Sequence, residues 1–87
     1  MTNPTPAQVR AARPYPLTQQ QVADILGGAR RSVQDWEHGR NPMHPCLLEY
    51  LLLVQYAEGR LPLAALADIR PSLLRLVALA QSAQQDR

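Results

Sequence analysis

The sequence predicts an all-α fold, a compact bundle of about five short helices in a single domain over residues 1–87. Three observations lead to this prediction. Apolar residues make up 46% of the chain and are mostly Leu and Ala. No segment alternates apolar and polar residues over the length of a strand. Val, Ile and Thr, which favour strands, are sparse.

The charge and the cysteine usage narrow the class of protein. The chain has nine Arg and no Lys against seven acidic residues, for a net charge of +2, and the excess lies in residues 1–45. A mildly basic first half is compatible with a nucleic-acid surface without arguing for one. A lone Cys46 excludes an intrachain disulfide and favours a reducing interior. Neither a signal peptide nor an apolar run of membrane length is apparent.

Capping signals predict the first two helices. Residues 5–8 combine an N-cap Thr, a Pro at the first helical position and a Gln three residues after the cap. Two prolines then end this helix after Arg13. Residues 18–21 repeat the Thr and Gln pattern, and Gly27 ends the second helix as a residue that tolerates a positive φ.

The helical pattern resumes after two glycines over residues 29–38. So short a join predicts that the second and third helices cross at a large angle. Helices over residues 46–57 and 62–82 complete the core, with the second segment dividing before Pro71 and fraying from Gln81. Residues 46–57 are apolar nearly all round, so we expect them to be buried centrally or shared with a partner.

The third helix has one apolar and one polar face. At about 100° per residue, Ala29 and Trp36 lie on the same side as Val33, which points to the core. The opposite face carries hydrogen-bonding side chains, Arg31, Gln34, Asp35 and His38, flanked by Arg30. Arg suits guanine, Gln suits adenine, and Asp can accept from cytosine. Considered alone, such a face is more often simply solvated.

The turn before this helix favours a DNA-binding role for the polar face over simple exposure to solvent. Residues 19–38 resemble the helix-turn-helix of the lambda-repressor-like (Cro/repressor or XRE) family. Ala23 matches the small residue where the two helices touch, Gly27 the turn, and Val33 the buried position of the recognition helix. The residues that carry the resemblance, within a core motif over 17–39, are Leu17, Thr18, Gln19, Val22, Ala23, Leu26, Gly27, Arg30, Arg31, Ser32, Val33, Trp36, Glu37 and Gly39.

The resemblance implies roles for the matching positions. The base-facing or groove-edge positions correspond to Arg30, Arg31, Ser32 and Asp35, with Gln34 added from the polar face. The DNA-backbone positions correspond to Thr18, Gln19, His38, Arg40 and Asn41. Glu37 is expected to pair with Arg10 or Arg13, and Trp36 to pack in the core. Asp35 could read cytosine, orient Arg31 or remain a surface charge, and we expect it to orient Arg31.

Two positions depart from the family pattern at the turn. Gly28 stands where an apolar residue is usual, and Ala29 where a capping Ser or Thr is usual. The loss of such a cap costs about 0.5–2 kcal/mol, which predicts a looser turn.

The expected function is that of a sequence-specific transcriptional regulator. One recognition helix reads only about four base pairs, so we expect a homodimer that binds an inverted repeat in double-stranded DNA, typically as an (auto)repressor. The predicted dimer interface consists of Tyr56, Leu73, Leu76, Val77 and Ala80. By analogy with the family, the protein is expected to be cytoplasmic, prokaryotic and nucleoid-associated, in a phage or another mobile element.

Other functions are less well supported by the residues. His44 and Cys46 lack a side chain to orient them for nucleophilic catalysis, so no enzyme is expected. With His38 they fit no regular zinc spacing, so neither a metal nor a cofactor is expected. The alternative is an antitoxin or a protein-interaction module that keeps the helix-turn-helix as a scaffold.

Overall fold

The regular structure of the described residues is entirely helical, which confirms the all-α prediction. The computed structural model describes residues 3–67 and 69–85. Within them, five α-helices and one short 3-10 helix follow one another without a strand. The elements are α1 (Pro6–Ala11), α2 (Gln19–Leu26), α3 (Arg30–His38), α4 (Pro45–Ala57), a 3-10 helix (Leu63–Leu66) and α5 (Pro71–Gln85).

Both predicted capping boxes are present. At the start of α1, Thr5 Oγ1 accepts from the Gln8 N–H at 3.2 Å, and Gln8 Oε1 accepts from the Thr5 N–H at 2.8 Å. At the start of α2, Thr18 and Gln21 make the same two bonds at 3.1 Å and 2.8 Å. Each box satisfies backbone donors that the first turn of a helix leaves free, which fixes where the helix begins.

Some helix ends differ from the prediction. α1 ends at Ala11 and not after Arg13, because a residue that precedes proline is disfavoured in the helical conformation. α4 begins at Pro45, one residue earlier than predicted, because proline suits the first helical position. α5 continues to Gln85 instead of fraying from Gln81. Its last turns contain Ala and Gln, which favour helix, and no Gly or Pro interrupts them.

The turn between α2 and α3 is built on one left-handed glycine. Gly27 has φ 71° and ψ 25°, and the Gly28 N–H donates to the Ala23 carbonyl at 2.9 Å. Ala29 is the N-cap of α3 and offers no side-chain hydrogen bond, as its replacement of a usual Ser or Thr predicts. The backbone of the two glycines therefore makes this turn without help from a capping side chain.

The core lies where α2, α3 and α4 meet. Its fully buried members are Ala12, Leu17, Val22, Ala23, Val33 and Leu51. Trp36 is partly buried and packs against this cluster, as predicted, together with Ile25, Leu26, Leu48 and Leu52. Burial of side chains of this size stabilises the fold by about 1.5–3 kcal/mol each. The core thus holds the inner face of α3 and leaves its other face outside.

α4 is less enclosed than its apolar sequence predicts. Its buried residues are Glu49, Leu51 and Gln55, whereas Tyr50 on the same helix is 51% exposed. A single chain of this size therefore covers one face of the helix and leaves the rest half-buried. None of the helices in the described ranges combines the length and the apolar character that crossing a bilayer requires.

The two glycines of the turn should respond differently to substitution. Gly27→Ala should lower the free energy of unfolding by about 1 kcal/mol, because a β-carbon is strained at φ 71° although the space around it is open. Gly28→Ala is the matched control, with equally open space and no positive φ. It should stabilise the chain by about 0.5 kcal/mol through the unfolded state. Urea denaturation measures both, and equal effects would contradict the assignment.

Candidate nucleic-acid interface

The first turn of α3 presents its cationic side chains to solvent. Arg30 and Arg31 are exposed, whereas Ser32 and Gln34 are half-buried. Val33 between them is only 1% exposed and belongs to the core. The alternation follows from the helical period, because the residue that anchors the helix forces its neighbours outward. The polar face predicted from the sequence is therefore accessible at its N-terminal end.

Arg30 and Arg31 differ from most other arginines of the chain. Neither makes a hydrogen bond or an ion pair with any residue that the structure describes. Arg75 on α5 also has no such partner among the described residues. Five other arginines form hydrogen bonds or ion pairs with carboxylates, carbonyls or an amide oxygen: Arg10, Arg13, Arg40, Arg60 and Arg70. Two adjacent guanidinium groups at one helix end thus keep all of their donors available.

Asp35 has a different partner from the one that we expected. Its carboxylate lies 3.5 Å from Arg40 Nε and accepts a hydrogen bond from Asn41 Nδ2 at 3.3 Å. No bond joins it to Arg31. Gly39, with φ 76°, reverses the chain after α3, and the Arg40 N–H returns to the Asp35 carbonyl at 2.9 Å. This reversal brings residues 40 and 41 to Asp35, so the carboxylate anchors the loop after the helix.

The side chains predicted to contact the DNA backbone have partners inside the chain. Thr18 caps α2, and Gln19 Nε2 donates to Glu37 Oε1 at 3.1 Å. His38 is exposed, and its Nδ1 lies 2.7 Å from the Gln34 carbonyl oxygen. Arg40 remains 60% exposed despite its pairing with Asp35. Contacts of these residues with phosphates stay a prediction.

A buried carboxylate fixes α3 to the two helices before it. Glu37 is 3% exposed, and Arg13 binds it with two bonds, Nε to Oε2 at 2.7 Å and Nη2 to Oε1 at 2.9 Å. The Arg10 guanidinium donates to the Glu37 carbonyl at 2.5 Å. Of the two expected partners, Arg13 thus takes the carboxylate and Arg10 the backbone. The additional Gln19 bond was not foreseen.

These contacts determine the charge state of Glu37. Burial raises the pKa of its carboxyl, but hydrogen bonds from Arg13 and Gln19 and the charges of Arg13 and His38 outweigh burial, so the pKa lies below its ordinary value. The carboxylate is therefore ionised at neutral pH. As an anion it accepts a bidentate guanidinium, which is among the stronger contacts available to a small fold.

A second buried carboxylate, which the sequence analysis missed, connects α4 with the start of α5. Glu49 is 5% exposed and accepts from the Arg70 backbone N–H at 2.9 Å and from Arg70 Nε at 3.0 Å. Burial raises its pKa, yet the Arg70 bonds and charge lower the pKa below the ordinary value. The available signal was a single acid within the apolar run of α4.

The residues predicted for the dimer interface lie on more than one side of α5. Leu76 is 61% exposed, and Ala80 is exposed as well. Val77, which is half-buried, and Ala80 nevertheless line a groove between α4 and α5 together with Tyr56. The Tyr56 hydroxyl interacts with the Gln81 amide in this groove. The predicted interface therefore divides between Leu76, which is exposed, and the residues that line the groove against α4, while Leu73 is half-buried.

Comparison of the chain with protein-family models, curated proteins and solved structures found no match. The family assignment therefore stays a resemblance, carried by the motif of residues 17–39.

Removal of the Glu37 carboxylate should destabilise the fold. Glu37→Gln should lower the free energy of unfolding by about 3 kcal/mol, because it leaves Arg13 partly buried without its anion. Glu58→Gln is the control, since it removes an ion pair of similar type between exposed side chains and should leave stability nearly unchanged. Urea denaturation at pH 7 compares the two variants.

The pH dependence gives a second test of the same contact. A carboxyl whose pKa is lower in the folded than in the unfolded chain stabilises the fold above its unfolded pKa, and this stability is lost as the pH falls through the folded pKa. The wild-type chain should therefore lose stability between about pH 5 and pH 3. Glu37→Gln should lose less over that window, and a parallel loss in both chains would contradict the assignment.

Proposed function

We propose that the protein is a sequence-specific regulator of transcription that binds double-stranded DNA through the major groove, as a homodimeric (auto)repressor on an inverted-repeat operator. The observation that carries the proposal is the pair Arg30 and Arg31. Both guanidinium groups are exposed and have no partner among the described residues. Guanidinium groups form bidentate bonds with guanine and strong bonds with phosphate. An external polyanion would therefore supply the hydrogen-bond acceptors that these two side chains lack within the chain.

The packing of α3 supports its use as a reading helix. Val33 and Glu37 anchor one face, by burial in the core and by the bidentate Arg13 bond. A helix held in this way keeps its opposite face in a fixed orientation, which specific base contacts require. On that face Arg31 is proposed to read guanine. Gln34, which is half-buried, lies one turn further along.

Asp35 is proposed to act mainly through the loop that it holds. Its ion pair with Arg40 compensates the negative charge that would otherwise repel phosphates, and its hydrogen bond from Asn41 adds a second contact to the loop. These two contacts also position Arg40 and Asn41, beside exposed His38, at the C-terminal end of the helix. This arrangement suits a loop that lies along the DNA backbone, which fixes the register of the recognition helix without reading sequence.

The homodimer is supported by apolar surface that the single chain leaves uncovered. Leu76 and Leu79 on α5 are 61% and 60% exposed, and Leu63 on the 3-10 helix is 55% exposed. Their burial against a second copy would stabilise a dimer by about 1.5–3 kcal/mol for each fully covered side chain. Two copies would also supply the second half-site contact that one short helix lacks.

The same surface favours one alternative function. An antitoxin or an interaction module would use the apolar side of α5 to bind a different protein and keep the helix-turn-helix as a scaffold. Protein partners are usually bound through aromatic or aliphatic side chains. This alternative therefore gives no role to the exposed pair Arg30 and Arg31. Binding to DNA of defined sequence discriminates between the two.

Selection of bound duplexes from a random DNA pool tests the proposal directly. The wild-type protein should enrich an inverted repeat whose half-site centres lie about one helical turn apart. On that site, Arg31→Ala should cost about 1–3 kcal/mol and relax the preference at one base pair. Arg40→Ala should weaken binding to all sequences and lower the slope of log affinity against log salt by about one.

The comparison between these two variants makes the assignment falsifiable. Arg31→Ala and Arg40→Ala each remove one positive charge from an exposed side chain, so net charge is matched. Equal losses on the enriched and on random duplexes, for both variants, would show that neither reads bases. Failure of the wild-type chain to enrich any sequence would overturn the proposed function and leave the protein-binding alternative.

The dimer has its own test. Leu76→Asp should shift the protein towards monomer, because it places a charge in the apolar contact that the second copy would cover. Ala7→Asp adds the same charge at an exposed position of α1, outside the proposed interface, and should leave the assembly unchanged. Light scattering at tens of micromolar, at several protein concentrations, measures both. A monomeric wild type without DNA would contradict the dimer.

A further inference from the structure

We propose that Tyr15 is a further DNA-binding residue, whose phenol contacts the phosphodiester backbone beside Arg30. This inference rests on the proposed function and adds a contact on the segment between α1 and α2. Residues 12–16 of that segment supplied none of the DNA-contacting positions predicted from the motif.

The location of Tyr15 is the first observation. An open cleft of about 700 Å³ lies between the Pro14–Leu17 turn and the first turns of α2 and α3. Tyr15 lines it together with Thr18, Gln20 and Arg30. The phenol therefore borders the same depression as the exposed guanidinium at the start of the proposed recognition helix.

The exposure of Tyr15 is the second observation. Its side chain is 97% exposed, compared with 51% for Tyr50, the other strongly exposed aromatic residue among those described. The turn that carries it is nevertheless well anchored. Leu17 is buried, its N–H donates to the Pro14 carbonyl at 2.8 Å, and Arg13 Nη1 donates to its carbonyl at 3.1 Å. Prolines on both sides of Tyr15 restrict the backbone further.

An anchored turn with an exposed phenol favours binding over packing. Inside the chain the side chain buries almost nothing, so its position contributes little to the core. Because the turn is already ordered, its backbone loses little conformational entropy when Tyr15 binds a ligand. A phenol can donate one hydrogen bond from its hydroxyl and place its ring against an apolar surface.

The charge of the cleft selects the ligand class. Among the residues that the structure describes, its lining includes Arg30 and Arg13 and no acidic side chain. Arg13 is already bound to Glu37, which leaves Arg30 as the available cation. A phosphate oxygen would accept from the phenol and from this guanidinium at once, and the adjacent deoxyribose offers the apolar surface for the ring. A duplex whose major groove receives α3 would present its backbone at the helix N-terminal end.

The test uses full-length variants on the duplex that wild-type selection enriches. Tyr15→Phe removes only the hydroxyl, and Tyr15→Ala removes the ring as well. Tyr50→Ala is the matched control, because it removes an exposed tyrosine that does not line the cleft. Circular dichroism should give the same helix content for all variants. We expect Tyr15→Phe and Tyr15→Ala to raise the Kd about tenfold or more, as for loss of a hydrogen bond to a charged group, and Tyr50→Ala to leave it unchanged.

Two further measurements distinguish a direct contact between Tyr15 and a phosphate from a general weakening of DNA binding. The slope of log affinity against log salt should stay the same in Tyr15→Phe, because a phenol carries no charge, whereas Arg30→Ala should lower it by about one. Ethylation of individual phosphates should identify one position per half-site that weakens wild-type binding but no longer weakens binding of Tyr15→Phe. A Kd raised only by Tyr15→Ala would overturn the hydrogen bond from the phenol to phosphate and would leave a contact through the ring alone.

The outcomes that overturn the inference are distinct from those that overturn the function. If the wild type enriches a duplex and both Tyr15 variants bind it with the wild-type Kd and the same phosphate interference, the Tyr15 contact is wrong and the regulator stands. If the wild type enriches no duplex, the proposed function fails, and this inference fails with it.

Discussion

The geometry of the motif depends on the buried Glu37 carboxylate. Three elements converge on this residue: α1 through Arg10, the segment after α1 through Arg13, and α2 through Gln19. The buried anion costs desolvation, which the bidentate guanidinium and the amide offset, as the lowered pKa of Glu37 indicates. Apolar contacts alone would tolerate small rotations of so short a helix. The hydrogen bonds to Glu37 are directional and do not tolerate such rotations, so the carboxylate fixes the orientation of α3.

The second half of the chain uses the same type of contact. Glu49 in α4 binds both the backbone and the guanidinium of Arg70, the residue just before α5. The start of α5 is therefore fixed, whereas its outer side carries Leu76 and Leu79 into solvent. A helix secured at one end and apolar on its exposed side can bind another chain without rearrangement of the core. This division fits a fold in which residues before α4 face the proposed DNA and residues after it face a partner.

Local signals made much of the fold predictable. The capping boxes and the left-handed Gly27 involve residues at most a few positions apart, and they are present as expected. Contacts between distant residues were harder. The resemblance offered Arg10 and Arg13 for Glu37 but could not choose between them, because the choice depends on where α1 ends. The 21-residue separation of Glu49 and Arg70 leaves no periodic signal. Asp35 binds Arg40 because Gly39 reverses the chain, and helix periodicity does not describe that reversal.

The distribution of arginines explains how a chain with a net charge of only +2 can present a cationic surface. Arg13 and Arg70 compensate the two buried carboxylates, and Arg40 compensates Asp35. These pairs neutralise one another, so they contribute little to the field outside the protein. Among the described arginines, Arg10, Arg30, Arg31 and Arg75 have no carboxylate partner, and Arg30 and Arg31 are the two of these that lie side by side at one helix end. Screening confines such a field to about 10 Å at moderate salt, so the proposed contact with DNA depends on local charge and bond geometry and not on net charge.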